Sequence, residues 1–304
     1  MRLIVHGQQA YGKSVLEAIL AKGVDEVVAV YCAPAKEGRP LDPLKEYALE
    51  QGLPVYEPAS YKDPEVWEHL ASHDSDLCVM AYVLLFVPEE ALNVPQYGSI
   101  QYHPSLLPWH KGPSSINWPI IMGKAKTGLT IFWPDNGLDT GPILLQKEVE
   151  IGPDDTLGSI YFDKLFPLGV EAMLESIDLV REGEAPREDQ DLEDGSYEGW
   201  CRKADVEIDW SRSIDEVYNL IRGANPQPGA WTTFNGAEVK VLDSRKADAR
   251  GEPGSVLSID DTGTMVATAD GAIHVMKVRA DAGKLSAIEY AASAGLEVDS
   301  KLGT

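Results

Sequence analysis

The sequence predicts an α/β protein: a doubly wound, mostly parallel sheet followed by a small OB-like β-barrel domain. Three observations carry this. Through residue 92, short apolar runs alternate with segments of helical periodicity, the pattern of a parallel sheet covered on both faces. Residues 183–199 are acidic and broken by Gly and Pro, which reads as a linker or a strap over the surface. Beyond them the pattern turns to short strands separated by turn residues. The expected organisation is a catalytic domain over 1–182, an acidic linker over 183–199 and a C-terminal domain over 200–304.

The elements follow in order. Arg2–His6 is an apolar strand, Gly7–Gly12 a turn, and Lys13–Lys22 a helix with Val15, Ile19 and Leu20 on one face. Val27–Tyr31 is a Val-rich strand, Pro43–Gln51 a helix closed by Gly52, and Pro54–Tyr56 a brief strand. Asp63 caps a helix running to His73, with Pro64 at its first position. Leu77–Ala81 is a strand and Pro88–Leu92 a short helix. One strand ends at His103, and another, Leu129–Trp133, stops at Pro134. Asp154 or Asp155 caps a long helix to about Glu182, with apolar positions from Ile160 to Val180. Further on, strands are expected over Val206–Trp210, Glu238–Asp243, Gly254–Ile259, Thr264–Ala269 and Ile273–Val278, with one helix over 213–223. The tail after Asp281 reads as helical and then frayed.

The 304 residues, 44% hydrophobic and 25% charged, are ample for a buried core and match a soluble globular chain. A net charge of -23 argues against broad phosphate-backbone binding, so DNA is not an expected partner. Cys32, Cys78 and Cys201 lie far apart with no CxxC pair, which indicates neither a disulfide framework nor a thiolate zinc site. The N-terminus lacks the apolar region of a signal peptide. The longest apolar run, Leu77–Val87, falls short of the roughly 20 residues a membrane span needs. A cytoplasmic protein without a membrane partner is expected.

The chemistry concentrates in residues 98–142. Pro104 and Pro108 keep the chain after His103 out of a helix. The loop Asp135-Asn136-Gly137-Leu138-Asp139-Thr140-Gly141 is built from residues that permit tight turns and positive φ. His103 and Asp139 thus stand just past the ends of two apolar strands, where open α/β sheets bind ligands. An imidazole exchanges protons near neutral pH, and a carboxylate beside it orients it and favours its cation. Together they suit acyl transfer: a proton leaves the attacking group, charge is stabilised on the carbonyl oxygen, and a proton reaches the leaving nitrogen. Ser105 lacks a G-x-S-x-G elbow and reads as a turn residue.

Three other patterns carry competing readings. Gly7-Gln8-Gln9-Ala10-Tyr11-Gly12-Lys13-Ser14 fits the phosphate-binding pattern G-x-x-x-x-G-K-[ST] between a strand and a helix. A nucleotide hydrolase also needs an acidic magnesium ligand at a strand end, and no well-placed candidate exists. His69 and His73, four apart, could share a metal, but an exposed helix face explains them with less. His103, His110 and Asp139 are conceivable metal ligands, yet the intervening prolines make a fixed geometry hard to assume. No metal is expected.

His103-Pro104-Ser105-Leu106-Leu107-Pro108, followed by Gly137-Leu138-Asp139-Thr140-Gly141, resembles the folate-dependent formyltransferases. Ile116-Asn117-Trp118, Phe166-Pro167, Tyr197-Glu198-Gly199 and Pro228-Gly229-Ala230-Trp231 look most like the hydrolase domain of the 10-formyltetrahydrofolate dehydrogenases. The resemblance implies 10-formyltetrahydrofolate as formyl donor and a formyltransferase fold. It implies a catalytic trio, Asn-x-His with a distant Asp, matched here by Gln101, His103 and Asp139. Gln101 departs from the pattern: it keeps the amide but is one methylene longer. By the same resemblance the pterin is held by backbone groups of Asp135, Asn136, Gly137 and Leu138 and by an apolar pocket from Val83, Leu84, Leu85, Phe86 and Val87. Water or a small amine is the expected acceptor. Methionyl-tRNA formylation is the alternative, disfavoured by the charge and by a short loop over 33–43 whose cations are Lys36 and Arg39. A nucleotide hydrolase and a non-catalytic folate-binding protein stand outside the class, the latter because of Gln101.

Overall fold

Leu3, Ile4 and Val5 have no exposed surface, and the strand they form, β1 (Arg2–Gly7), lies inside a seven-stranded sheet. An unbroken apolar run is what a strand covered on both faces requires. The computed structural model describes residues 1–35 and 38–303; Lys36, of the short loop, lies outside the described residues. The chain divides into two units. One comprises Met1–Gly112, Gly128–Val149 and Lys164–Tyr197; the other comprises Pro113–Thr127, Glu150–Asp163 and Glu198 onward.

After β1 come α1 (Gln9–Lys22), β2 (Glu26–Cys32), α2 (Pro43–Glu50), β3 (Val55–Tyr56), α3 (Pro64–Ala71), β4 (Leu77–Ala81), α4 (Glu89–Leu92) and β5 (Ser99–His103). Next are α5 (Asn117–Ile121), β6 (Lys126–Phe132), β7 (Ile143–Glu150), α6 (Leu157–Ser159), a π-helical segment (Ile160–Leu165) and α7 (Phe166–Glu182). The strand order is β3-β2-β1-β4-β5-β6-β7, parallel from β3 through β5. The order reverses beside β1, and such a switch point opens a crevice at the strand ends. Asp42 and Asp63 cap α2 and α3, each with Pro at the start of its helix.

Three local expectations need correction. The helix expected from Lys13 already starts at Gln9, so Gly12 and Lys13 are helical. A Cβ on Gly7 would meet the Ala81 carbonyl oxygen at 2.2 Å, so this glycine serves close packing on β4. The Gln9 amide is taken by both carboxylate oxygens of Asp42, at 2.9 and 2.8 Å, and Lys13 Nζ faces Glu17 at 3.6 Å. The segment is therefore not a phosphate loop. His69 and His73 are half-buried rather than exposed; Nδ1 of the first and Nε2 of the second lie 2.7 and 3.0 Å from the Tyr31 hydroxyl. Thr156, rather than Asp154 or Asp155, caps α6, in a reciprocal box with Ser159. β6 pairs with β5 in the antiparallel sense, with Phe132 opposite Gln101.

In the second unit, α8 (Ile214–Gly223) precedes β8 (Trp231–Phe234), β9 (Ala237–Ala247), β10 (Val256–Asp260), β11 (Gly263–Ala267), β12 (Ala272–Ala280), β13 (Gly283–Ser286) and α9 (Ala287–Ala294). The sheet is antiparallel, in the order β10-β11-β12-β9-β8, with β13 added on β12. Val206–Trp210 is not a strand; it enters the core as a 3-10 turn plus a single bridge to Trp231, burying Val206, Ile208 and Trp210. The tail is not frayed: the amide of Leu302 donates to Gly254 and that of Val256 to Ser300, and Leu302 is buried. Among the described residues no helix is long and apolar enough to cross a membrane.

Candidate active site

Side chains alternate along a strand, so Gln101 and His103 share one face of β5 while Tyr102 points to the other, its ring 4.4 Å from that of Tyr11. His103 is the last strand residue and is buried; Gln101 is half-buried. The turn after it is tied to β6. Thr130 Oγ1 donates to the Ser105 carbonyl at 2.7 Å and accepts from the Leu107 amide at 3.1 Å. Ser105 has no exposed surface, and its hydroxyl donates to the Trp109 carbonyl at 2.7 Å. It is a turn residue, inaccessible as a nucleophile.

Because β6 is antiparallel, Phe132 stands opposite Gln101 and not beyond His103. The loop that follows carries Asp139 back to the imidazole, with Oδ2 3.7 Å from His103 Nδ1. That separation is too long for a hydrogen bond but within ion-pair reach. Both side chains are largely buried, at 7% and 9% exposure, where charges are weakly screened. Asp139 Oδ2 also accepts from the Gly112 amide at 2.9 Å. On the other side of the ring, His103 Nε2 lies 3.0 Å from the His110 carbonyl. A carbonyl can only accept, so this contact favours a proton on Nε2.

The loop over 133–141 is rigid by construction. Asp135 Oδ1 accepts from the Gly137 amide at 2.9 Å and the Thr140 hydroxyl at 2.8 Å. A Cβ on Gly141 would sit 1.8 Å from the Trp133 carbonyl oxygen, so only glycine lets the chain close there. Asn136 and Glu89 exchange hydrogen bonds at 3.0 and 3.4 Å, which joins this loop to the one after β4. In that second loop Val83 and Val87 pack onto the core of Tyr31, Tyr61 and Met80, while Leu84, Leu85 and Phe86 are exposed. Leu138 is exposed as well. The two stretches expected to hold a pterin thus both carry exposed apolar side chains.

Sequence reasoning missed Glu89, Gln190 and Ser196. Gln190 Nε2 donates to the carbonyls of Asp139 and Gly141, and Ser196 Oγ accepts from the His110 amide. No local signal marks them, because they lie 47 to 86 residues from their partners. Among the described residues no group of three or more His, Cys, Asp or Glu side chains stands where it could hold a metal. Cys32, Cys78 and Cys201 are free and buried, and burial pushes the thiols of the first two up to about 12.

The site thus places a buried imidazole between a main-chain carbonyl and a carboxylate, with an amide side chain on the same strand face, an arrangement whose groups are able to exchange protons. The family model described as formyl transferase matches residues 1–177, and that described as formyl transferase, C-terminal domain, matches 201–294. The chain belongs to the formyl transferase family. It is 39% identical over 264 residues to the mitochondrial 10-formyltetrahydrofolate dehydrogenase of Homo sapiens, 85% of this chain but 28% of that protein's length. It is 34% identical over 286 residues to the methionyl-tRNA formyltransferase of Clostridioides difficile (strain 630), 92% of each chain. HypX from Aquifex aeolicus, solved in complex with tetrahydrofolic acid, shares the fold at a TM-score of 0.67 and 19% identity, over 98% of this chain and 48% of that one.

Proposed function

We propose that this protein is a cytoplasmic enzyme that removes the formyl group from 10-formyltetrahydrofolate, passing it to water to give formate or to a small amine. The observation that carries the reading is the His103 imidazole, with Nε2 committed to a main-chain carbonyl and Nδ1 turned toward the Asp139 carboxylate. In this reading Nδ1 takes the proton of the attacking water or amine. The resulting imidazolium is stabilised by Asp139, and it returns the proton to the departing folate nitrogen. Gln101, on the same strand face, donates to the formyl oxygen as charge develops there. Val83–Val87 and Asp135–Leu138 supply the apolar and main-chain contacts for the pterin. The relationship to the dehydrogenase supports the donor. The exposed apolar side chains of both loops are consistent with a ligand that covers them.

Methionyl-tRNA formylation is the second reading, favoured by the 92% mutual coverage with the clostridial enzyme. The net charge of -23 weighs against it. The deciding experiment measures tetrahydrofolate release from 10-formyltetrahydrofolate by the purified protein, alone, with small amines and with charged initiator tRNA, beside His103→Ala. Release without an acceptor, lost in the variant, is the expected result. Release only with tRNA selects the second reading. Saturable folate binding without release under any condition sinks both and leaves a folate-binding protein.

A further inference from the structure

Two residues of this site adopt the left-handed backbone region although neither is glycine: His110 and Asp139, both at φ 56°. They face His103 from opposite sides, one with its carbonyl on Nε2, the other with its carboxylate toward Nδ1. Backbone of this kind persists only where the surroundings hold it. Here the holding groups come from a single segment, residues 186–196, within the stretch whose composition reads as a linker. On the Asp139 side, Gln190 Nε2 donates to the Asp139 carbonyl at 3.1 Å and the Gly141 carbonyl at 2.6 Å, bracketing the turn. On the His110 side, Ser196 Oγ accepts from the His110 amide at 2.9 Å. The Ser196 main chain adds two more bonds, from the Lys111 amide at 3.0 Å and to the Pro108 carbonyl at 3.1 Å.

The segment is itself anchored. Ile143 and Glu188 exchange main-chain hydrogen bonds at 2.8 and 3.0 Å, and Trp133 Nε1 donates to the Pro186 carbonyl at 2.9 Å. The Arg187 guanidinium lies 3.7 Å over the Trp133 ring. Both clamps therefore hang from one strap fixed to the strands that flank the catalytic loop.

We propose that Gln190 and Ser196 are positioning residues: together they fix the carbonyl and the carboxylate between which the His103 ring is held, and so set which ring nitrogen carries the exchangeable proton. This rests on the reading of His103 as the proton-transfer group. Neither residue touches the reacting atoms. Loosening either clamp frees one side of the imidazole, whose tautomer is set by the hydrogen bond its other nitrogen makes.

The test combines 15N NMR of the His103 ring with steady-state kinetics and a folate dissociation constant, on wild type, Gln190→Leu, Gln190→Glu, Ser196→Ala and Ser196→Thr. The wild-type neutral ring should show a protonated Nε2 and a bare Nδ1. Gln190→Leu and Ser196→Ala should each mix the tautomers and lower kcat about 10- to 100-fold, less than the roughly 10²- to 10⁴-fold that losing a general acid–base group outright costs. Folate affinity should stay within about threefold, because the pterin contacts are elsewhere. Ser196→Thr, which keeps the hydroxyl, should restore both readouts. Gln190→Glu keeps the shape but loses both donors, so it carries the test if Gln190→Leu does not fold. An unchanged His103 spectrum in Gln190→Glu and Ser196→Ala overturns the proposal. If wild type releases no tetrahydrofolate at all, the proposed function fails, while the ring spectra still decide the clamp.

Discussion

The carboxylate of Asp139 sits on a residue whose backbone is left-handed, and this makes one substitution unusually clean. Asparagine adopts that conformation as readily as aspartate, so Asp139→Asn removes the charge without adding backbone strain. Turnover of 10-formyltetrahydrofolate should fall by about 10² to 10⁴, with folate affinity within about threefold, read by kinetics and calorimetry side by side. Wild-type turnover in this variant would remove Asp139 from the mechanism. Gln101 asks a related question from the same strand face. Gln101→Leu keeps the bulk and loses the donor, and a drop of about 10- to 10³-fold is expected if the amide meets the formyl oxygen. His103 and Asp139 were legible in the sequence, because each sits in a motif of specific residues at a fixed interval. The partner of His103 Nε2 was not, since it is a carbonyl seven residues away that a left-handed turn aims back at the ring.

At the scale of elements, the loop over 133–141 decides whether the site exists. Its closure depends on Gly141, where any Cβ would collide with the Trp133 carbonyl. Gly141→Ala should therefore destabilise the protein by about 2 to 3 kcal/mol, at the upper end of overpacking effects, and should depress turnover further by displacing Asp139. Urea unfolding and kinetics on the same preparation would check both; an alanine that unfolds like wild type would mean the loop relaxes freely. Alternating apolar and helical patterns marked β1 through α4 to within a few residues, because caps and periodicity are local properties. The same locality misplaced the start of α1, expected at Lys13 and found at Gln9. At 183–199, read as a linker or a surface strap, the acidic composition gave no sign of the hydrogen bonds that Gln190 makes to the loop over 133–141.

At the scale of the whole molecule, acid should act first through buried histidine. His6, in the interior strand β1, lies with its ring 4.6 Å from Tyr61, and burial pulls its pKa down to about 3. An unfolded histidine titrates near 6.5, so between those values the unfolded chain binds the extra proton. Stability is then full above about pH 6.5 and falls as pH drops, at up to about 1.4 kcal/mol per unit from this group. Burial also lowers the pKa of His73, which adds in the same direction. Urea midpoints at several pH values should show the slope in wild type and a shallower one in His6→Asn; parallel curves would discount His6 as the acid-sensitive group. By itself the sequence determined the class of fold and the succession of strands and helices in the first unit, and it marked His103 and Asp139 as candidates, because periodicity, caps and motif residues are written along the chain. Only the tertiary structure decided that β6 runs against β5, that the loop returns Asp139 to the imidazole, and that Gln190 and Ser196 hold the two strained residues beside it. Those outcomes depend on contacts between residues up to 86 positions apart, and a hydrogen bond over that distance leaves no mark on either local sequence.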